Sequence, residues 1–230
     1  VVRRGRVIYH GAEPAFELAS PSSAAMNDKN EFRKDFGLPL DKMLLLAFGY
    51  SGSYKGFDVL DSLGLPESWS LVVKQTKHER GTEKPIEIGK NKGDNAISLN
   101  LGYLDDITMS KLFFACDAII FPYKIVSVSG VMFDALAHGL PFIASDLRFF
   151  KEFAEMGLGI VCKRNMQSFE QSISTLASEY DEYKTRVEHF RSKLRWSDIA
   201  KKHMEFFSGL ISQYNNESAA KYDNSRIRQA

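Results

Sequence analysis

The order of apolar runs predicts an α/β protein built on a doubly wound, parallel six-stranded sheet. Three observations carry that expectation. Short apolar runs of strand length alternate with stretches of helical period from Met43 to Ser178, the pattern of helices covering both faces of a parallel sheet. Two of the runs, Met43–Gly49 (MLLLAFG) and Asp117–Phe121 (DAIIF), contain no alternating polar face, as expected for strands buried on both sides. Each of these two is followed by a loop rich in Gly, Ser and Tyr, Gly49–Gly56 and Pro122–Gly130.

Taken in order, Arg6–Tyr9 (RVIY) reads as a short strand, and residues 13–27 as an Ala/Ser/Pro-rich loop. Asn27 or Asp28 is placed to cap a short helix that Gly37 and Pro39 end. Met43–Gly49 is the first sheet strand, followed by a helix at Phe57–Leu63 and a second strand at Trp69–Val73. Lys77–Asp94 is charged and irregular, a solvated excursion before a third strand at Ala96–Leu101. Asp105 or Asp106 caps a helix over Ile107–Cys116, whose apolar residues fall at helical spacing. The strand Asp117–Phe121 stops at Pro122, and Ser127 or Ser129 caps a helix from Val131 to His138 that Gly139 and Pro141 terminate. Phe142–Ala144 and Gly159–Cys162 are the last strands, with a helix at Leu147–Met156 between them. Helices from Asn165 to Ser178, Asp181 to Leu194 and Ser197 onward follow, and the polar residues from Asn215 read as a frayed tail. The aromatic residues Phe149, Phe150, Phe153, Phe206 and Phe207 recur at helical spacing and are expected in the core.

Composition narrows the partners. A net charge of +1 without a dense basic run argues against a nucleic-acid track. Cys116 and Cys162 are isolated, too few for a disulfide framework, and fit a reducing compartment. The longest apolar runs fall far short of a membrane span. Val1-Val2-Arg3-Arg4 precedes no apolar leader core, and the absence of an initiating Met suggests a piece of a longer protein.

Six strands in two halves suggest the order 3-2-1-4-5-6, which reverses between the first and fourth strands. Ligands of such sheets bind outside the carboxyl ends at that reversal. The loops Gly49–Gly56 and Pro122–Gly130 meet there. Ser129-Gly130 opens a helix whose free N–H groups form an anion seat, and Gly130 admits a close approach to the backbone. Lys55, beside Gly56, is expected to face that helix mouth and neutralise one phosphate while the N–H groups of Gly130 and Val131 hold the other. Its alternative is a solvated surface lysine. Asp134, one turn into the same helix, is suited to ribose hydroxyls; its alternative is compensation of the helix dipole.

The runs FGYSGSYKGFDVL, ISLNLGYLDDITMSKLFFACDAIIFPY, SGVMFDALAHGLPFIASDLRFFKEF and RWSDIAKKHMEFF, in that order, resemble the C-terminal, nucleotide-sugar donor-binding half of the family 4 GT-B glycosyltransferases (glycosyl transferases group 1). The resemblance covers roughly residues 43–210, and residues 1–14 resemble the interdomain crossing that precedes this half. It implies a Rossmann-like domain over 41–178, a lead-in over 1–40, C-terminal helices over 179–214 packed on the domain, and a flexible tail over 215–230. It implies diphosphate binding by Lys55, Ser129, Gly130, Val131 and Gly52, ribose binding by Asp134, and a nucleobase border of Tyr103, Leu104 and Asp106. The implied activity is retaining transfer of a sugar from a UDP-, GDP- or ADP-sugar to a glycan or lipid-linked glycan. No metal or further cofactor is expected, because Lys55 and a helix N-terminus stabilise the leaving diphosphate.

Two departures stand out. Tyr50 occupies the usual place of a phosphate-binding Arg, and Val126 the first acidic position, where a Glu would contact the donor sugar. The rival expectation is therefore a non-catalytic relative serving as an interaction or regulatory module. The implied partners are a nucleotide sugar, an N-terminal domain carrying the acceptor site and most catalytic groups, and a second copy pairing through the C-terminal helices. The implied location is cytoplasmic, with the inner face of a membrane as a site for the longer protein.

Overall fold

The computed structural model describes residues 7–15, 29–77, 85, 88 and 95–227, with side chains as far as Asn215. Six parallel strands form one sheet: β1 (Met43–Tyr50), β2 (Trp69–Thr76), β3 (Ala96–Ser98), β4 (Ala118–Phe121), β5 (Phe142–Ser145) and β6 (Gly159–Cys162). Their order is β3-β2-β1-β4-β5-β6, the order expected from the sequence. The helices are α1 (Lys29–Asp35), α2 (Asp106–Ala115), α3 (Gly130–Ala137), α4 (Arg148–Ala154), α5 (Met166–Ser178), α6 (Tyr180–Arg191) and α7 (Trp196–Ile227).

Alternating residues of the strands feed two cores. Leu44, Leu46 and Val72 pack with Leu112, Phe113, Met132 and Leu136 on one face. Leu45, Ala47, Leu71 and Val73 pack with Phe57, Phe169, Ile173 and Leu176 on the other. Caps fix the helix starts: Asp105 accepts from Thr108 N at 2.7 Å, Ser129 from Met132 N at 3.3 Å and Asn165 from Ser168 N at 2.8 Å. Of the alternatives left open, Asp105 and Ser129 are therefore the caps.

The seam between the two halves of the sheet is short. β1 pairs with β2 over eight residues, Met43 to Tyr50, but with β4 only at Leu45↔Ala118 and Leu46↔Ile119. Beyond Leu46 the carboxyl end of β1 outruns β4, whose chain turns away at Pro122, a residue with no N–H to donate to a ladder. The crevice predicted at the strand-order reversal is this divergence. The seam's base is locked by Asp117, which accepts from Leu44 N at 2.6 Å and from the buried Arg33 guanidinium at 2.7 Å, and pairs with Lys29. Arg33 also donates to the carbonyls of Ala115 at 2.9 Å and Lys42 at 3.0 Å.

Several sequence expectations are corrected. Val7–Tyr9 is not a strand: Tyr9 packs among Phe133, Phe153 and Phe190 on the helical side, away from any sheet edge, and Arg6 lies outside the described residues. The segment after Gly56 is a 3-10 helix, Phe57–Ser62, not an α-helix; six residues including the poor helix formers Asp58 and Val59 are too few to propagate one. β3 ends at Ser98 rather than Leu101. Phe207 is 52% exposed, because α7 leaves the body of the domain instead of covering it. The helical backbone of α7 continues past Asn215 to Ile227. The caps expected at Asn27 or Asp28, the loop from residue 16 to 28 and most of Lys77–Asp94 lie outside the described residues.

Removing the carboxylate at the seam would leave the Arg33 guanidinium buried without its counter-ion. Asp117→Ala is expected to lower the unfolding free energy by about 3–5 kcal/mol. Adding Arg33→Met is expected to recover more than half of that loss in urea titrations.

Candidate functional site

The loop after β1 carries Lys55 into the crevice, and glycine geometry explains how. Gly49 has φ +141°, and a Cβ there would lie 3.2 Å from Lys55 Nζ, so its absence leaves room for the ammonium. Gly56 closes the short 3-10 turn Ser53–Lys55 with φ +67°, and a Cβ at this position would strike the Pro122 carbonyl at 2.0 Å. Lys55 is thereby directed across the crevice instead of into solvent. It is only 7% exposed, which rules out the solvated-surface alternative.

Two staples hold this loop against the one after β4. Lys124 N donates to the Tyr54 carbonyl at 2.8 Å. Arg164 donates through Nε to the Pro122 carbonyl at 2.8 Å and through Nη2 to the Gly56 carbonyl at 3.0 Å and to Asp58 at 2.8 Å. Arg164 sits beyond β6, far away in sequence, and no local pattern marks it. Tyr123 was missed as well. Its buried hydroxyl accepts from Lys55 Nζ, its ring centroid lies 4.2 Å from that nitrogen, and it also bonds Ser129. A polar chain thus runs from Lys55 through Tyr123 and Ser129 to Met132 N at the start of α3. Burial pushes the Tyr123 phenol well up, so it stays neutral.

A cavity of about 170 Å³ opens beside Lys55. From the sequence-predicted set it is lined by Lys55, Val131, Tyr103, Leu104 and Asp106, and additionally by Phe48, Gly49, Tyr50, Thr76 and Met109. Gly130 lies at the exposed mouth of α3, with nothing within 4 Å of where a Cβ would be. Gly52 does not line the cavity; it faces the Tyr54 ring, whose Cε1 lies 2.7 Å from the position of a Cβ. Asp134 is half-buried one turn into α3, and its carboxylate makes no hydrogen bond among the described residues.

The electrostatics are unusual in one respect. Burial lowers the Lys55 pKa from 10.5 to about 8. Burial also raises the Asp134 pKa from 3.8 to about 6, opposed by His10 and reinforced by Asp106. Among the described residues neither Lys55 nor Asp134 forms a salt bridge, and only His10 partly offsets the burial of Asp134. Among the described residues no three His, Cys, Asp or Glu side chains gather as a metal site needs, and no helix is long and apolar enough to cross a membrane.

No family model and no curated protein matches the sequence. Solved structures do match. Sucrose-phosphate synthase from Thermosynechococcus elongatus aligns over 90% of this chain and 53% of its own, at TM-score 0.64 and 16% identity. Anabaena HepE in complex with UDP-glucose aligns over 89% of this chain and 57% of its own, at TM-score 0.66 and 17% identity. WaaG, a glycosyltransferase involved in lipopolysaccharide biosynthesis, aligns over 86% of this chain and 55% of its own, at TM-score 0.59 and 18% identity. That architecture is one half of a GT-B fold. At such identities the likeness establishes the fold, and the chain spans about half the length of each of these proteins.

Lys55 has a lower pKa folded than unfolded, so the unfolded chain holds its proton more tightly. The destabilisation is full below about pH 8 and disappears as the pH rises to 10.5. Lys55→Met is expected to stabilise the fold at pH 7 by about 1–3 kcal/mol. Thermal melts across pH 7–10 should also show the variant losing the rise in stability that the parent gains in that window.

Proposed function

We propose that this chain is the donor-binding half of a retaining glycosyltransferase that takes a nucleotide-diphosphate sugar. The observation that carries the reading is a desolvated Lys55 ammonium set opposite the open mouth of α3, at a cavity bordered by Tyr103, Leu104 and Asp106. In this reading Lys55 pairs with one phosphate of the donor, and the N–H groups of Gly130 and Val131 hold the other at the helix N-terminus. Asp134 accepts hydrogen bonds from the ribose hydroxyls, while Tyr103, Leu104 and Asp106 flank the base. As the glycosidic bond to the diphosphate breaks, negative charge grows on the leaving oxygens. A lysine and helix dipole already fixed there stabilise it without reorganisation and without a metal.

The fold likeness to HepE, solved with UDP-glucose, and to other glycosyltransferases supports this reading. The acceptor, a glycan or lipid-linked glycan, and most groups of the chemical step are assigned to an N-terminal domain beyond this chain. The isolated polypeptide accordingly binds donor without turning it over. Cytoplasmic location, with the longer protein working at the inner face of a membrane, belongs to the same proposal. The second reading, a non-catalytic module for protein interaction, is favoured by one observation: Tyr50 lies at the cavity rim where a second phosphate cation is expected.

Titration calorimetry with UDP, GDP and ADP decides between them. The donor reading expects binding of at least one nucleotide and its loss in Lys55→Ala; no binding of any of the three supports the module. The lysine must be charged and the aspartate ionised, so affinity should form a plateau between about pH 6 and pH 8. Above it binding should fall about tenfold per pH unit, because only the protonated Lys55 pairs with phosphate. Asp134→Asn is expected to shrink the acid limb to the part contributed by protonation of the ligand's own terminal phosphate, at about pH 6.

A further inference from the structure

A second buried ammonium lies beside the cavity and takes no part in the diphosphate site. Lys74 stands near the carboxyl end of β2, opposite Phe48 of β1, and is 1% exposed. It follows Val72 on the face of the sheet that packs against α2, where an apolar residue would be expected. Burial lowers its pKa, and no carboxylate offsets this among the described residues. Its partners are neutral oxygens: it donates to the Gly102 carbonyl at 2.5 Å and to the Thr76 hydroxyl. The Thr76 hydroxyl in turn donates to the same Gly102 carbonyl at 3.1 Å.

What these bonds hold is the arch Gly102–Asp105. Gly102 is in the left-handed region at φ +63°, and its carbonyl is fixed by two donors from β2. At the other end Asp105 caps α2 through Thr108 N at 2.7 Å. Between the two pins Tyr103, 74% exposed, and the half-buried Leu104 form the cavity wall facing Tyr50 and Phe48. A surface arch of this kind would ordinarily drift; pinned at both ends, it presents a fixed wall.

We infer that Lys74 is a positioning residue for nucleobase recognition, acting through the Gly102 carbonyl to set the Tyr103–Leu104 wall. The inference rests on the donor-binding reading above and extends it. Charge-assisted bonds to a carbonyl are stronger than neutral ones, and it is these bonds that offset part of the cost of burying the Lys74 ammonium without a counter-ion among the described residues. Lys74 touches neither base nor phosphate, so its loss should separate the two parts of the ligand.

The test compares UDP with inorganic pyrophosphate on the parent chain and on Lys74→Met. The expected result is a rise in the UDP Kd of at least tenfold, with the pyrophosphate Kd unchanged within twofold and UDP, GDP and ADP bound with more nearly equal affinity. Gly102→Ala, which strains the arch without touching the ammonium, should reproduce that pattern, and the double variant should be no worse than either alone. Equal weakening of UDP and pyrophosphate, or no change in either, overturns the inference. If Lys74→Met melts below the assay temperature, Lys74→Gln, which removes the ammonium but keeps a polar group in its place, decides by the same criterion. A parent chain that binds pyrophosphate but no nucleotide overturns the role of Lys74 while leaving the anion seat standing; one that binds neither sinks the donor reading itself.

Discussion

A buried carboxylate holds the two halves of this sheet together. Asp117 accepts from the backbone of β1 and from Arg33 and Lys29 of α1, so the start of β4 is bound to the start of β1 while their far ends separate. The crevice follows from that arrangement. Were β1 and β4 laddered along their whole length, as β1 and β2 are, no gap would remain at the reversal of strand order. The interaction is as much a matter of position as of stability, since a buried ion pair contributes little net free energy over a hydrophobic substitute but strongly disfavours arrangements that leave one charge alone.

At the open end of the same seam the balance is reversed. Lys55 and Asp134 are ionisable groups withdrawn from water that form no salt bridge among the described residues, with only His10 easing the burial of Asp134. Gly49 and Gly56 admit the lysine, Arg164 and the Lys124 amide fasten its loop, and Tyr123 gives it a neutral partner. Stability lost at such a site is a common companion of binding function. The deep core beneath, with Leu44, Leu46, Ile119 and Phe121 fully buried, is where the fold recovers it.

Much of this was legible in the sequence, for identifiable reasons. Continuous apolar strands and Gly-Ser loops are strong local signals, so strand order and the approach of the loop after β1 to the loop after β4 could be inferred from them. Val7–Tyr9 misled because three β-branched or aromatic residues look alike whether they join a ladder or lie over helices. The segment after Gly56 misled because a short run does not distinguish α from 3-10 geometry. Arg164, Tyr123 and Lys74 were out of reach for a different reason. Each acts through a contact distant in sequence, and nothing around an arginine after β6 says that it reaches Gly56 and Pro122.

The long helix α7 shows Trp196, Met204, Phe207, Leu210, Ile211 and Tyr214 to solvent, each at least 44% exposed. Combined with a net charge of only +1, this bears on colloidal behaviour: near neutrality there is almost no long-range repulsion to keep copies apart, while an oily ridge rewards contact. Added salt would screen what repulsion exists and favour clustering further. Buffers well to the acid side of the isoelectric point near pH 7.9, where net positive charge accumulates, are the conditions under which dispersed particles of this polypeptide are easiest to keep.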